Sequence, residues 1–248
     1  MSTDEGERWM KAVILNSGVG SRMGEITKKA PKCLTELVGG ETILYRQVRQ
    51  LVELGIKDLL ITTGPFPGEI ESYVQKNFPS IQVRYIRNER YSETNYIYSL
   101  YLAREELDTD ILLMHGDLVF EDAVLREVKE SCVSCMVCDS MAPLPEKDFK
   151  AMVQDNRIWR VGIDIFERAL AAQPLYKLLR EDLQIWMDEI AKFCEKGTMK
   201  VYAENAFNEV SNRCAIYPLD IRGRLCGEID DLNDWEAMNK KLRALMGI

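Results

Sequence analysis

The stretch Lys11-Ala12-Val13-Ile14-Leu15-Asn16-Ser17-Gly18-Val19-Gly20-Ser21-Arg22-Met23-Gly24 decides the fold. Lys11 to Asn16 is a short, almost continuous apolar run. Such a run reads as a strand covered on both faces, as in a parallel sheet, rather than as a half-exposed edge. Gly18 and Gly20 follow at once. Glycine allows positive φ and close backbone approach, so a loop of this kind can turn several N–H groups toward one anion. Arg22 supplies a planar fork of donors, and Lys32, placed after Pro31, a compact charge; both suit phosphate oxygens. Two better-known glycine-rich loops are excluded. A dinucleotide fingerprint needs glycine where Met23 stands, and a Walker A loop needs a Gly-Lys-Ser/Thr tripeptide that does not occur in the sequence.

Outward from this stretch, strands read at Asp58–Thr63, Gln82–Arg87, Asp110–His115 and Val133–Val137 alternate with helices read at Thr42–Leu54, Gly68–Phe78, Asn95–Leu107 and Glu121–Glu130. The alternation predicts an α/β, Rossmann-like domain with a mainly parallel mixed sheet flanked by helices. Right-handed crossovers then place a ligand cleft at the carboxyl ends of the strands. The pattern changes near Ser140. Met141–Lys150, with Pro143 and Pro145, reads as a loop, and Lys150–Gly162 as a hairpin turning at Asp155-Asn156. Helices are expected over Arg180–Cys194 and Tyr202–Val210, a strand over Cys214–Leu219, and a closing helix over Leu232–Leu245. The expected organisation is one domain over residues 10–248 with a small α+β acceptor-binding insertion at about 140–214. Residues 1–9, polar and acidic, read as a disordered extension with no signal-peptide pattern.

Composition narrows the function. A length of 248 residues suits one sizeable core. The formal net charge of -8 does not suit nucleic-acid binding, which rests on Lys and Arg neutralising phosphates. No apolar run approaches the roughly 20 residues that span a bilayer, so no membrane partner is expected. Seven cysteines, an odd number, read as reduced thiols of a cytoplasmic protein rather than a disulfide framework. Within Cys132-x-x-Cys135-x-x-Cys138, alternation along a strand points Cys135 away from the other two, which argues for core thiols and against a metal site.

Gly18-x-Gly20-x-Arg22 followed by Pro31-Lys32-x-Leu34 resembles the signature of the sugar-nucleotide and choline-phosphate nucleotidyltransferase superfamily, and the resemblance runs from about Lys11 to Leu242. Asn95-Tyr96-Ile97-Tyr98-Ser99-Leu100-Tyr101 and Glu228-Ile229-Asp230-Asp231 resemble the bacterial phosphocholine cytidylyltransferase branch. The resemblance implies CTP and a small phosphorylated or phosphonate acceptor as substrates. It also implies that Asp117, just past a strand, and Asp230 hold Mg²⁺, which takes one or two carboxylates plus phosphates and waters. Asp231 is the competitor for the second position. A homodimer is left open.

The catalytic candidates are Arg22, Lys32 and Asp117. Gly18, Gly20, Ser21, Arg22 and Lys32 are assigned to the triphosphate. The resemblance adds backbone groups of Asn16 and Ser17 at the base or ribose. Asn88, Asn95 and Ser99 could read the pyrimidine edge, Asn95 being equally suited to cap a helix. A choline head group calls for aromatic faces and a carboxylate. The tryptophans that phosphocholine enzymes use are absent from Ser140–Pro145 and from Tyr202–Asn205. The acceptor set is therefore drawn from Lys150, Gln173, Tyr176, Glu204 and Glu209, with Tyr202, Phe207, Lys147 and Lys177 nearby. His115 is the single histidine, and histidine acid–base chemistry is not needed. A phosphomonoester with a second pKa near ~6 is already dianionic at neutral pH. It can attack the α-phosphorus directly, with pyrophosphate leaving in line and no covalent intermediate. The rival readings are a hexose-1-phosphate uridylyl- or thymidylyltransferase and a non-catalytic nucleotide-binding regulatory domain. Asp108-Thr109-Asp110 precedes its strand and reads as a turn.

Overall fold

The structure is a computed structural model that describes residues 10–20, 22–24 and 30–248. The extension expected over residues 1–9 and the candidate Ser21 lie outside the described residues.

Four strands form the parallel half of the main sheet: β1 (Met10–Asn16), β2 (Asp58–Thr63), β3 (Gln82–Arg87) and β4 (Asp110–His115). Helices α1 (Ile43–Glu53), α2 (Pro67–Asn77) and α3 (Tyr96–Ala103) connect them. Thr42 starts α1 by accepting a hydrogen bond from the Tyr45 amide at 3.1 Å. Strand alternation then sorts the core. Val13, Leu15, Ile111 and Leu113 face one layer, while Ala12, Ile14, Leu112 and Met114 face the other. Both faces are covered, which is why these runs are apolar throughout.

Beyond β4 come β5 (Leu118–Phe120), α4 (Asp122–Glu130), β6 (Cys135–Asp139), β7 (Lys150–Gln154), β8 (Arg157–Gly162) and β9 (Ala169–Leu178). They are followed by α5 (Arg180–Glu195), α6 (Ala203–Val210), β10 (Tyr217–Asp220), β11 (Cys226–Glu228) and α7 (Leu232–Met246). The main sheet has the order β10-β6-β9-β4-β1-β2-β3, with the β7–β8 hairpin attached to β9. The hairpin turns at Asp155 and Asn156, with φ of 51° and 57°, as the sequence predicts. Cys135 and Cys138 lie in opposite core layers, as strand alternation requires.

β9, which the sequence pattern does not signal, lies in the middle of the sheet, antiparallel to both β4 and β6. Its sequence contains Pro174, which normally argues against an interior strand. The β6–β9 register shifts between Met136 and Val137, passing from Tyr176 to Gln173, and the pairing with β4 ends at Leu175. Pro174 therefore falls where the ladder is already interrupted, so its missing N–H removes no regular pair.

α7 packs over the small β5–β11 sheet in a third cluster that includes Met23, Val119, Ile229 and Leu242. Met23, the residue that rules out a dinucleotide fingerprint, is fully buried there and pins the far end of the glycine loop.

Candidate active site

β1 delivers its loop between two strand ends where glycine permits close approach. A Cβ at Gly64, after β2, would lie 2.3 Å from the Ser17 carbonyl oxygen, and one at Gly116, after β4, would lie 1.7 Å from Asn16 Oδ1. The loop then enters a cleft of about 390 Å³ at the carboxyl ends of the parallel strands, lined by Gly18, Gly20, Arg22, Lys32, Asp117 and Asp230, among others. Gly20 uses its freedom, with φ of 66°, whereas Gly18, expected to do the same, does not adopt a left-handed conformation. Chain neighbours aside, a Cβ at Gly18 would meet no atom of the described residues within 4 Å, so bareness toward the cleft is its contribution.

The charged groups converge. Lys32 Nζ donates to Asp117 Oδ2 at 2.6 Å and to Asp230 Oδ1 at 2.8 Å. Arg22 Nη2 lies 3.0 Å from Asp230 Oδ2. Burial disfavours the Lys32 charge, but the two carboxylates more than offset it and hold its pKa above the ordinary lysine value. Burial likewise opposes ionisation of Asp117, and Lys32 and His115 overcome it, so its pKa lies below the usual carboxylate range. Asp231 faces away from these groups' chemistry: its side chain accepts from the amides of Asn233 and Asp234 and caps α7. Asp230, one residue earlier, turns into the cleft.

The site fits a hard divalent cation on chemical grounds. Asp117 and Asp230 are brought to one ammonium, and Asp117 Oδ1 is buried without a hydrogen-bond partner among the described residues. One or two carboxylates with room for phosphate oxygens is a magnesium-type donor set.

His115, for which the chemistry read from the sequence has no need, lines the same cleft. Its Nδ1 lies 2.9 Å from Glu228 Oε1. Burial, then the neighbouring Asp117, push the Glu228 carboxyl up to about 7. Burial alone would lower the His115 pKa, but Glu228 raises it above the ordinary value. Tyr96 packs edge-on to His115 at 4.6 Å between ring centroids, Tyr202 lies 6.0 Å from Tyr96, and Phe149 lies 5.0 Å from Tyr202. These four rings, from α3, β4, the loop before β7 and the residue before α6, wall one end of the cleft. Lys147 and Asp148 stand at its rim.

A smaller recess of about 150 Å³ adjoins the cleft and contains Ser17, Asn88, Asn95 and Ser99. Much of their hydrogen-bonding capacity is spent locally. Asn88 donates to Ser99 at 3.1 Å, Ser99 to Ser17 at 2.9 Å, and Ser17 to Thr62 at 2.8 Å. Asn95 caps α3 by accepting from the Tyr96 amide.

The acceptor set expected from the sequence does not assemble, and this is a correction. Lys150 is fully buried, with Nζ bound to the carbonyls of Pro145 and Asp148 at 2.6 and 3.2 Å. Tyr176 is a core residue that donates to Glu204 Oε1 at 2.7 Å, and Tyr96 donates to Glu204 Oε2. Both Glu204 oxygens are thus engaged below the floor of the cleft. Phe207 is core. Gln173 sits at the β6–β9 irregularity, and Glu209 is exposed on α6; neither lines the cleft. Of the neighbours considered, Tyr202 and Lys147 do reach it.

Residues 12–200 match the MobA-like NTP transferase domain, and the chain belongs to that family. Its family is one of nucleotidyltransferases, and its fold is shared by a solved one. It is 22% identical to a choline-phosphate cytidylyltransferase of Streptococcus pneumoniae over 94% of this chain and 99% of that protein. It is 35% identical to the CMP-5'-(3-aminopropyl)phosphonate synthase of Streptomyces rubellomurinus, over 48% of this chain and 19% of that protein. The chain thus spans about a fifth of the length of that second relative. The solved structure of the CTP:phosphocholine cytidylyltransferase from Streptococcus pneumoniae shares the fold, with a TM-score of 0.75 at 20% identity over 95% of this chain and 99% of that one. No helix among the described residues is long and apolar enough to cross a membrane.

Proposed function

We propose that this chain transfers CMP from CTP to a small phosphate or phosphonate with a cationic head, phosphocholine being the first acceptor to test, and releases pyrophosphate. The observation that carries the reading is the convergence of Lys32 and Arg22 on Asp117 and Asp230 beside a bare glycine loop. Cations for a triphosphate and carboxylates for its counter-ion share one cleft. The relatives' names supply the cytidine and the choice between phosphocholine and aminoalkylphosphonate acceptors. The rings of Tyr96, Phe149 and Tyr202 near Glu228 give an onium group aromatic faces and a carboxylate.

In this reading the amides from Gly18 to Gly20 cradle the triphosphate, while Lys32 and Arg22 hold its oxygens and stabilise charge as it moves onto the leaving pyrophosphate. Asp117 and Asp230 would hold Mg²⁺, which when bound would neutralise charge and polarise the phosphoryl group. The acceptor lies against Tyr96 and Tyr202 with its phosphoryl oxygen toward the α-phosphorus. That oxygen is already deprotonated, so no side chain has to remove a proton, and the aligned pair reacts in one displacement.

A pyrophosphate-release assay in Mg²⁺ should cross CTP, UTP, ATP and dTTP with phosphocholine, phosphoethanolamine, 2-aminoethylphosphonate, glycerol phosphate and glucose 1-phosphate. Turnover is expected with CTP and a cationic acceptor. Turnover confined to UTP and glucose 1-phosphate overturns the proposal.

A further inference from the structure

The two carboxylates are not equally available. Both oxygens of Asp230 are taken, Oδ1 by Lys32 at 2.8 Å and Oδ2 by Arg22 at 3.0 Å. Asp117 gives only Oδ2 to Lys32, at 2.6 Å, and its buried Oδ1 has no partner among the described residues. At Asp117 a metal ion entering alone meets one unpartnered oxygen, though a buried one, and it displaces one charge-assisted contact at most; at Asp230 it must displace two. It must also do so beside cations that repel it in a partly desolvated site. A triphosphate reverses both terms. Its oxygens give Lys32 and Arg22 new partners, and its charge offsets theirs. Pro31, with φ of -66°, and the 3₁₀ turn Lys32–Leu34 fix the backbone, while the four-carbon stem of Lys32 leaves its ammonium free to swing.

We propose that Lys32 is a positioning residue that holds Asp117 and Asp230 together and yields them to a metal ion only when a triphosphate arrives. Metal and nucleotide then bind as one unit. The inference rests on the nucleotidyltransfer reading for the identity of the anion. Its metal arm, however, concerns only groups on this chain. Linkage requires the coupling to be reciprocal: whatever CTP adds to metal affinity, the metal adds to CTP affinity.

The test is Mn²⁺ binding to the full chain, followed by electron paramagnetic resonance, with and without CTP. Wild type is expected to bind Mn²⁺ alone at least about tenfold more weakly than with CTP, a normal size for coupling between sites. Lys32→Met should tighten binding of Mn²⁺ alone by about tenfold and remove most of the gain from CTP, whereas Lys32→Arg, which keeps the positive charge, should not tighten binding of Mn²⁺ alone. Asp230→Asn should change binding of Mn²⁺ alone by less than about threefold, and much more when CTP is present. A folded Lys32→Met protein, checked by circular dichroism, that binds Mn²⁺ alone no more tightly than wild type overturns the proposal. Should Lys32→Met fail to fold, equal losses for Asp230→Asn with and without CTP overturn it instead. If Lys32→Met tightens Mn²⁺ and UTP, ATP or dTTP, but not CTP, strengthens Mn²⁺ binding to wild type, the handover stands and the choice of nucleotide fails; if no triphosphate does so, the proposal is overturned.

Discussion

The two ends of the cleft are built in different ways. The phosphate end comes largely from one short stretch: Gly18, Gly20 and Arg22 follow β1, and Lys32 lies ten residues after Arg22. The aromatic end collects Tyr96, His115, Phe149 and Tyr202 from four separate places in the chain. Those places meet because β9 enters the sheet between β4 and β6 and carries the β7–β8 hairpin with it. The first end is encoded by spacing, which fixes local backbone geometry. The second is encoded by strand order, which only long-range packing reveals.

If this division is right, substitutions at the two ends should separate in their kinetics. The largest effect belongs to the phosphate end. Asp117→Asn should lower kcat by about a thousandfold or more, the scale of losing charge stabilisation in a desolvated site, with the circular dichroism spectrum unchanged. A near-normal turnover number would remove Asp117 from the mechanism. Tyr202→Ala should act at the other end. It should raise the acceptor KM by about tenfold, the loss of one aromatic face on a cation, and leave the KM for CTP unchanged. Equal changes in both constants would merge the two ends and contradict the division.

Two glycines sharpen it further. Gly116→Ala places a Cβ on top of Asn16 Oδ1, so the strand end or the Asn16 side chain must shift; a loss of about 1–3 kcal/mol on urea unfolding is expected. Gly18→Ala meets no atom of the described residues beyond its chain neighbours and should leave the urea midpoint in place while weakening CTP binding.

A further effect is the pH dependence of the aromatic end. Glu228 has a folded-state pKa of about 7 against an ordinary 4.5. The folded protein therefore binds more protons than the unfolded chain between these values. The associated stability is fully present below about pH 4.5 and is lost as pH rises through about 7, at most about 3 kcal/mol. The raised His115 pKa acts with the same sign. Glu228→Gln cannot ionise, so wild type should lose stability relative to it between about pH 5 and about pH 8. A difference between the two that does not vary with pH would mean that Glu228 titrates normally.

What could be read from the sequence follows the same division. Lys11–Asn16, Asp58–Thr63 and Asp110–His115 occur as strands at the expected residues, because a strand covered on both faces leaves a continuous apolar run, and the edge strand Gln82–Arg87 occurs where its alternation of apolar and charged residues places it. Ala169–Leu178 does not announce itself: Gln173 and Pro174 interrupt it, and only the bulge opposite β6 makes them tolerable. Lys150 has the look of a surface cation. Nothing local signals that the Pro145 and Asp148 carbonyls wrap its ammonium. Glu204 reads as free for a ligand, yet Tyr96 and Tyr176 claim both of its oxygens from different elements. A usable signal does exist in two places. Thr63-Gly64 and His115-Gly116 put glycine directly after a buried strand, where a neighbouring backbone or side chain passes close.

Where the nucleotide and its metal sit is tested most directly by a crystal structure with a non-hydrolysable CTP analogue and Mn²⁺. The expected result is an anomalous manganese peak touching Asp117 and Asp230, with the triphosphate between the Gly18–Gly20 loop and Lys32. Manganese bound away from both aspartates, or a triphosphate that leaves Lys32 clasped to them, would contradict it.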